Sequence, residues 1–312
     1  MIYPRLDKVR NGQRMSVELV NGLIKRTEYA ADLLRQYKPL AGTDISVAQR
    51  YDGTTITGEG GGDFNIVGYT NAGGIVKGFL YNGSTFTDII YPGASQTVAY
   101  GIDGSNIVGF RALGGVVQGF LYNGSTFTDI IYPGANQTVA YGINGSNIVG
   151  YRIVGGGGLA QGFLYNGSTF TDIIYPGSVS TVAYKIDGSN IVLTANAGGV
   201  IKGSLYNGST FTDIIYPGST ATFAYGIDGS NIVGFASVAG VNRGFLFNGS
   251  TFTNIINPNS VSTIATDIYG SNIFGYISIL GGNRSFVYNG STFTDIFYPG
   301  GTQTFVWGVD RN

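Results

Sequence analysis

Tyr122-Asn123-Gly124-Ser125-Thr126-Phe127-Thr128-Asp129-Ile130-Ile131-Tyr132-Pro133-Gly134 recurs unchanged from Tyr81, Tyr165 and Tyr206, and in variant form from Phe247 and Tyr288. The successive spacings are 41, 43, 41, 41 and 41 residues, the longer one holding the glycine run Gly155–Gly158. A second string, Tyr100-Gly101-Ile102-Asp103-Gly104-Ser105-Asn106-Ile107-Val108-Gly109, interleaves with the first. Its relatives start at Tyr141, Tyr184 and Tyr225, and degraded copies start at Thr266 and Trp307. A fixed period near 40 residues means that one supersecondary unit is stacked on its neighbours.

Each unit reads as four short strands. In the second copy these are Thr97–Asp103, Asn106–Phe110, Gln118–Tyr122 and Thr126–Tyr132. Asp103-Gly104-Ser105 turns the first strand into the second, and Asn123-Gly124 predicts a two-residue primed hairpin between the third and fourth. A four-stranded sheet cannot bury both of its faces, so units of this size pack face to face around an axis as blades. The stretch Thr304–Asp310 is a first strand with no unit after it, while the strand Asn65–Tyr69 lacks a good first strand of its own. Joining them completes a unit. The expected fold is an all-β, six-bladed β-propeller over residues 46–312, its first blade closed by the C-terminal strand and preceded by a short N-terminal helical segment. Ser46–Gly58 reads as a decayed first–second hairpin.

The repeat resembles the HAF repeat of bacterial extracellular and surface proteins, whose units run Gly-Phe-Leu-Tyr-x-Gly-x-Thr-Phe-Thr and then Tyr-Gly-Ile-x-x-Ser-x-x-Val-Gly. More distantly it is similar to the kelch pattern. The resemblance spans residues 65–310 and implies a propeller rather than an activity.

Composition removes several classes of chemistry. Of 312 residues, none is histidine or cysteine, which excludes His-dependent hydrolases and thiolate metal sites. No calcium loop of the Asp-x-Asp-x-Asp-Gly type and no paired carboxylates at a pocket occur, so neither an enzyme, a metal nor a cofactor is expected. Hydrophobic residues at 43% supply a packed interior despite 52 glycines. No apolar run approaches a membrane span, and a nucleic-acid partner is not expected.

The two ends of the disc differ. First–second and third–fourth turns form one end, here the turn face, and are nearly constant: Asp-Gly-Ser-Asn and Asn-Gly-Ser-Thr. The other end, the loop face, holds the second–third loops Thr70–Val76, Arg111–Val117, Arg152–Ala160, Thr194–Ile201, Ala236–Asn242 and Ile277–Asn283, together with the links between units. Here the units diverge. Lys77, Lys202, Arg243 and Arg284 open third strands at this face, and Arg111 and Arg152 end second strands beside them. Tyr91, Tyr132, Tyr175, Tyr216 and Tyr298 precede the prolines of the unit-to-unit links, with Asn257 in the sixth place. Guanidinium and amide donors mixed with aromatic edges suit sugars and anionic polymers. The alternative is that the tyrosines pack between blades and the cations are solvated strand ends. Asp88, Asp129, Asp172, Asp213 and Asp295 read as a polar outer edge that discourages sheet pairing. Tyr100, Tyr141, Tyr184, Tyr225 and Trp307 read as packing on the innermost strands.

Residues 1–45 have another character. Eight cations stand against four acids in residues 1–40. Ser16 can cap a helix from Val17 to about Tyr37, with Val20, Leu23, Ala30, Leu34 and Tyr37 on one face for anchoring or oligomerisation. The pattern Pro-Arg-Leu-x-x-Val-Arg-Asn-Gly-Gln-Arg-Met-Ser-x-Glu-x-x-Asn-x-Leu-Ile resembles the opening of phage tail-fibre and neck-type structural proteins. That resemblance implies a homo-oligomer docked to other virion proteins through residues 1–45, with the propeller binding a host-surface glycan or decorating the particle. It places the protein in the virion, where no export signal is expected. The alternative is a cellular HAF-repeat propeller serving as a scaffold for protein partners.

Overall fold

The computed structural model describes residues 64–280 and 282–311. Of the two units into which the chain divides, Met1–Glu59 and Gly60–Asn312, the described residues belong to the second. The helix expected over residues 17–37, the anchoring residues Val20, Leu23, Ala30, Leu34 and Tyr37, and the hairpin expected at Ser46–Gly58 lie outside the described residues. Within them the fold is all-β, with 24 strands and no helix.

The strands pair antiparallel in runs of four. β1 (Phe64–Ala72), β2 (Ile75–Tyr81) and β3 (Phe86–Ile89) are consecutive, and β24 (Gln303–Arg311) lies on the free side of β1. β4 (Gln96–Asp103), β5 (Asn106–Leu113), β6 (Val116–Tyr122) and β7 (Phe127–Ile130) form the next run. After them come β8 (Gln137–Asn144), β9 (Asn147–Ile153), β10 (Ala160–Tyr165) and β11 (Phe170–Ile173). β12 (Ser178–Asp187), β13 (Asn190–Ala197), β14 (Val200–Tyr206) and β15 (Phe211–Ile214) follow. β16 (Ala221–Asp228), β17 (Asn231–Val238), β18 (Val241–Phe247) and β19 (Phe252–Ile255) make the fifth run. The last is β20 (Ser262–Tyr269), β21 (Asn272–Ile279), β22 (Gly282–Tyr288) and β23 (Phe293–Ile296). The first strands of the runs adjoin one another in the cyclic order β24, β4, β8, β12, β16, β20 and back to β24.

Close approach of these innermost strands is set by glycine. A Cβ on Gly101 would stand 2.5 Å from the Tyr141 carbonyl oxygen, and one on Gly308 equally close to that of Tyr100. One residue earlier on each innermost strand the ladder skips a residue, for instance between Ala99 and Gly101. The skipped residues are Tyr100, Tyr141, Tyr184, Tyr225, Thr266 and Trp307. The bulges turn these side chains toward the axis, where Tyr100 and Tyr141 ring centroids are 4.4 Å apart and Tyr184 and Tyr225 4.6 Å apart. Trp307 reaches past the small Thr266 to Tyr225 at 5.5 Å and to Tyr100 at 5.2 Å.

Two turns differ from the sequence expectation. Asn82-Gly83-Ser84-Thr85 is a four-residue loop between the paired residues Tyr81 and Phe86, not a two-residue primed turn. Asn82 Oδ1 accepts hydrogen bonds from the backbone and hydroxyl groups of both Ser84 and Thr85, and this side-chain bracket replaces a tight backbone turn. The second–third connections, read from sequence as longer loops, are instead mostly two-residue turns like the first–second ones. Ala72 pairs with Ile75 across Gly73-Gly74, whose φ values of 62° and 81° are those of a type I′ turn. Only in the unit with the glycine run does an open loop, 154–159, remain.

Candidate ligand-binding face

Each described unit holds one of the six predicted cations, and five of them are ion-paired to the aspartate of the fourth strand. Lys77 meets Asp88 at 2.7 Å, Arg111 meets Asp129 at 2.8 Å, Arg152 meets Asp172 at 2.9 Å, Lys202 meets Asp213 at 3.0 Å and Arg284 meets Asp295 at 3.5 Å. The cation comes from the third strand in some units and from the second in others. Arg111 pairs across the ladder with Gln118, and Arg152 with Gln161, so a residue from either strand reaches the same carboxylate. Arg111 also donates to Gln118 Oε1. The aspartates, read from sequence as a polar outer edge, are the fixed partners of these cations. Residue types alone concealed this, because the partner lies 11 to 20 positions away on another strand.

The tyrosines complete the arrangement from the preceding unit. Tyr298 donates its hydroxyl to Asp88 at 2.5 Å, Tyr132 to Asp172 at 3.0 Å and Tyr175 to Asp213 at 2.7 Å. The cation of the same group lies over the ring: Arg152 at 4.2 Å from the Tyr132 centroid, Arg111 at 4.7 Å from Tyr91 and Lys77 at 4.9 Å from Tyr298. Each ring also packs on the fourth-strand phenylalanine of the next unit, as Tyr132 does on Phe170 at 4.8 Å. Cation, carboxylate and phenol therefore bridge adjacent sheets. Burial pushes the Asp88 carboxyl up, but hydrogen bonds from Lys77 and Tyr298 outweigh it and the group falls below the usual carboxylate range; Asp213 behaves alike with Tyr175 and Lys202. Hydrogen bonding to Asp88 raises Lys77 in turn.

The links that carry the tyrosines are fixed from beneath. Thr97, Thr138, Thr181, Thr222, Thr263 and Thr304 are buried, and each hydroxyl accepts the backbone N–H of the tyrosine, or of Asn257, six residues earlier. Sequence reading passed over these threonines, although they recur at a constant offset from the prolines.

One unit departs. In β19 the aspartate is replaced by Asn254, and Tyr216 donates to its Oδ1 at 2.5 Å. Arg243, on the adjoining β18, has no ion pair or side-chain hydrogen bond among the described residues. The sixth link, with Asn257 buried in place of tyrosine, leaves the Arg284–Asp295 pair without a phenol.

The two faces differ in exposed chemistry. All the large apolar side chains exposed among the described residues lie at the loop face, including Ile75, Ile90, Val116, Val200, Ile215 and Val241. The turn face is polar and bound to itself. Asp103, for instance, accepts the Gly145 N–H of the next unit at 2.5 Å, and Asp228 accepts that of Gly270 at 2.6 Å. Among the described residues no group of three or more acidic, histidine or cysteine side chains could hold a metal ion, and no helix is long and apolar enough to cross a membrane.

The architecture is that of a β-propeller. The described ring is similar to the crystal structure of TolB from Acinetobacter baumannii, with a TM-score of 0.60 and 13% identity over 80% of this chain and 66% of that one. It is also similar to a chain of the nidogen/laminin complex, with a TM-score of 0.54 and 13% identity over 79% of this chain and 97% of that one. The chain thus spans just under two thirds of TolB, and at such identity the likeness concerns the fold alone. No family model matches the sequence, and no curated protein is similar to it.

Proposed function

We propose that the chain is a non-catalytic recognition or decoration protein of a bacteriophage particle. It is a six-bladed, HAF-type and kelch-like propeller whose first blade is completed by β24. Its loop face meets a host-surface glycan, and residues 1–45 hold it as a homo-oligomer to other virion proteins. The observation that carries this reading is the contrast between the faces: apolar and divergent at one end, polar, repeated and internally hydrogen-bonded at the other. Exposed apolar groups gathered on one side of a soluble fold mark a contact surface. β1 runs from the turn face to the loop face, so Phe64 lies at the end opposite that surface. The resemblance of residues 1–45 to phage structural proteins supports the carrier.

The aliphatic character of the exposed groups favours a second reading, a scaffold for a protein partner, because isoleucine and valine complement protein surfaces better than sugars. Binding of the full chain to a glycan array separates the two. Retention on acidic or neutral glycans, lost when Ile75, Val116, Val200 and Val241 are replaced by serine, supports glycan recognition. Silence across the array, with binding to cells that survives deglycosylation and is lost on protease treatment, moves the function to the second reading.

A further inference from the structure

We infer that Arg243 and Asn254 form a single anion-binding site on the loop face, taking the carboxylate of an acidic sugar; the sugar part of this inference rests on the glycan-binding reading above. In the preceding unit Asp213 divides its oxygens: Oδ1 accepts from Tyr175 and Oδ2 from Lys202. In the Asn254 unit the tyrosine keeps its partner, since Tyr216 donates to Asn254 Oδ1 at 2.5 Å. The amide Nδ2 therefore takes the place that Oδ2 occupies toward the cation. By the same register the Arg243 guanidinium has an amide N–H group as its counterpart in place of a carboxylate oxygen, and among the described residues no side-chain acceptor is hydrogen-bonded to it.

Arg243 is half-buried and Asn254 exposed, so the gap is open to solvent. Water alone satisfies these donors there, and an anion entering between them replaces it with charge-assisted hydrogen bonds to both. One guanidinium matches a singly charged, planar carboxylate in charge and in its two-oxygen geometry; a phosphate dianion would call for further cations. The other five cations are held by their own aspartates and offer no such place.

The test is NMR titration of the full chain with D-glucuronate, D-glucose and acetate, following the side-chain N–H signals of Arg243 and Asn254. Saturable shifts with glucuronate, weaker with acetate and absent with glucose, are expected. Equal affinity for acetate overturns the sugar assignment while leaving a carboxylate site, and no shift with either anion overturns the site. Asn254→Asp supplies the internal carboxylate found in the other five units, so it folds, and it weakens glucuronate binding about tenfold or more. Undiminished binding in that variant also overturns the site. Conversely, Asp213→Asn creates a second site at Lys202, seen as a second set of shifting side-chain amide signals from the substituted position. Glucuronate binding beside a silent glycan array refutes glycan recognition and leaves the site standing; an active array beside absent glucuronate binding does the reverse.

Discussion

Leu193 and Ser204 face each other across the β13–β14 ladder, at the place where the other five units pair a glycine with a phenylalanine. In those units a Cβ on the glycine, as on Gly109, would overlap the carbonyl oxygen of the innermost strand and press on the phenylalanine ring. The exchange keeps the core filled by moving bulk from one strand to its neighbour. Both residues are fully buried, and the Ser204 hydroxyl donates to the Thr212 carbonyl at 3.0 Å.

The two substitutions are therefore coupled. Ser204→Phe overfills the site and costs about 1–3 kcal/mol. Leu193→Gly empties it and costs about 2–5 kcal/mol. The double variant restores the common pair and recovers much of both losses. A urea double-mutant cycle with a coupling below about 0.5 kcal/mol would contradict this.

Lys185 and Asp267 replace two glycines of the innermost ring and meet at 2.5 Å, 82 residues apart in sequence and two units apart around the axis. Asp267 is fully buried and also accepts the backbone N–H groups of Val309 and Ile268. Burial lifts its carboxyl above the usual range, against the pull of Lys185. Lys185→Met leaves the acid unpaired and costs about 3–5 kcal/mol. Adding Asp267→Asn, which keeps an acceptor for Val309 without the charge, returns most of that stability. A double variant no more stable in urea than Lys185→Met alone would show that the charge is not the source of the loss.

Ala239 stands first in the turn between β17 and β18 with φ of 51°, where three other units place Gly73, Gly114 and Gly198. Ala239→Gly relieves a left-handed alanine and stabilises the fold by about 1 kcal/mol. A lower melting temperature in the variant would refute the strain.

Alkali and acid act on different parts of the ring. Burial raises Tyr100, Tyr141 and Tyr184 well above 10.0, and Tyr276 to about 12. Groups raised on folding favour the native state fully below pH 10.0, and that contribution is lost as pH climbs through their folded values. Tyrosinate absorbance from these residues is expected to appear together with loss of near-ultraviolet circular dichroism; titration of every tyrosine in an intact fold would refute it. Asp88 and Asp213 have the opposite sign. Their bridges are complete above pH 3.8 and lost as pH falls through the lower folded values.

The periodic parts of the molecule were readable from residues alone. Strand order, the pairing of Thr304–Asp310 with Asn65–Tyr69 and the identity of the two faces follow from repeated strings, since repetition makes every local signal appear several times. Single departures were visible but uninterpretable. Asn254 shows as Thr-Asn where Thr-Asp is usual, yet its meaning depends on Arg243 and Tyr216 arriving from other strands. Lys185 and Asp267 each break the glycine pattern, and only the curvature of the ring brings them together. The Asn-Gly turn was misjudged because the following Ser and Thr offered the asparagine side chain more hydrogen bonds than a tight backbone turn would have made.

The pairing of β1 with β24 has a consequence for assembly. Thr70 donates its hydroxyl to the Gln303 carbonyl across 233 residues, and on the side of β1 away from β2, Phe64 through Asn71 find their ladder partners in Gln303 through Arg311. Until that late segment is in place, β1 presents an unsatisfied edge beside an otherwise finished ring. Such long-range closure is slow. During that wait, the corresponding segment of another molecule offers the same register, so refolding at high protein concentration is open to strand-exchanged dimers and chains.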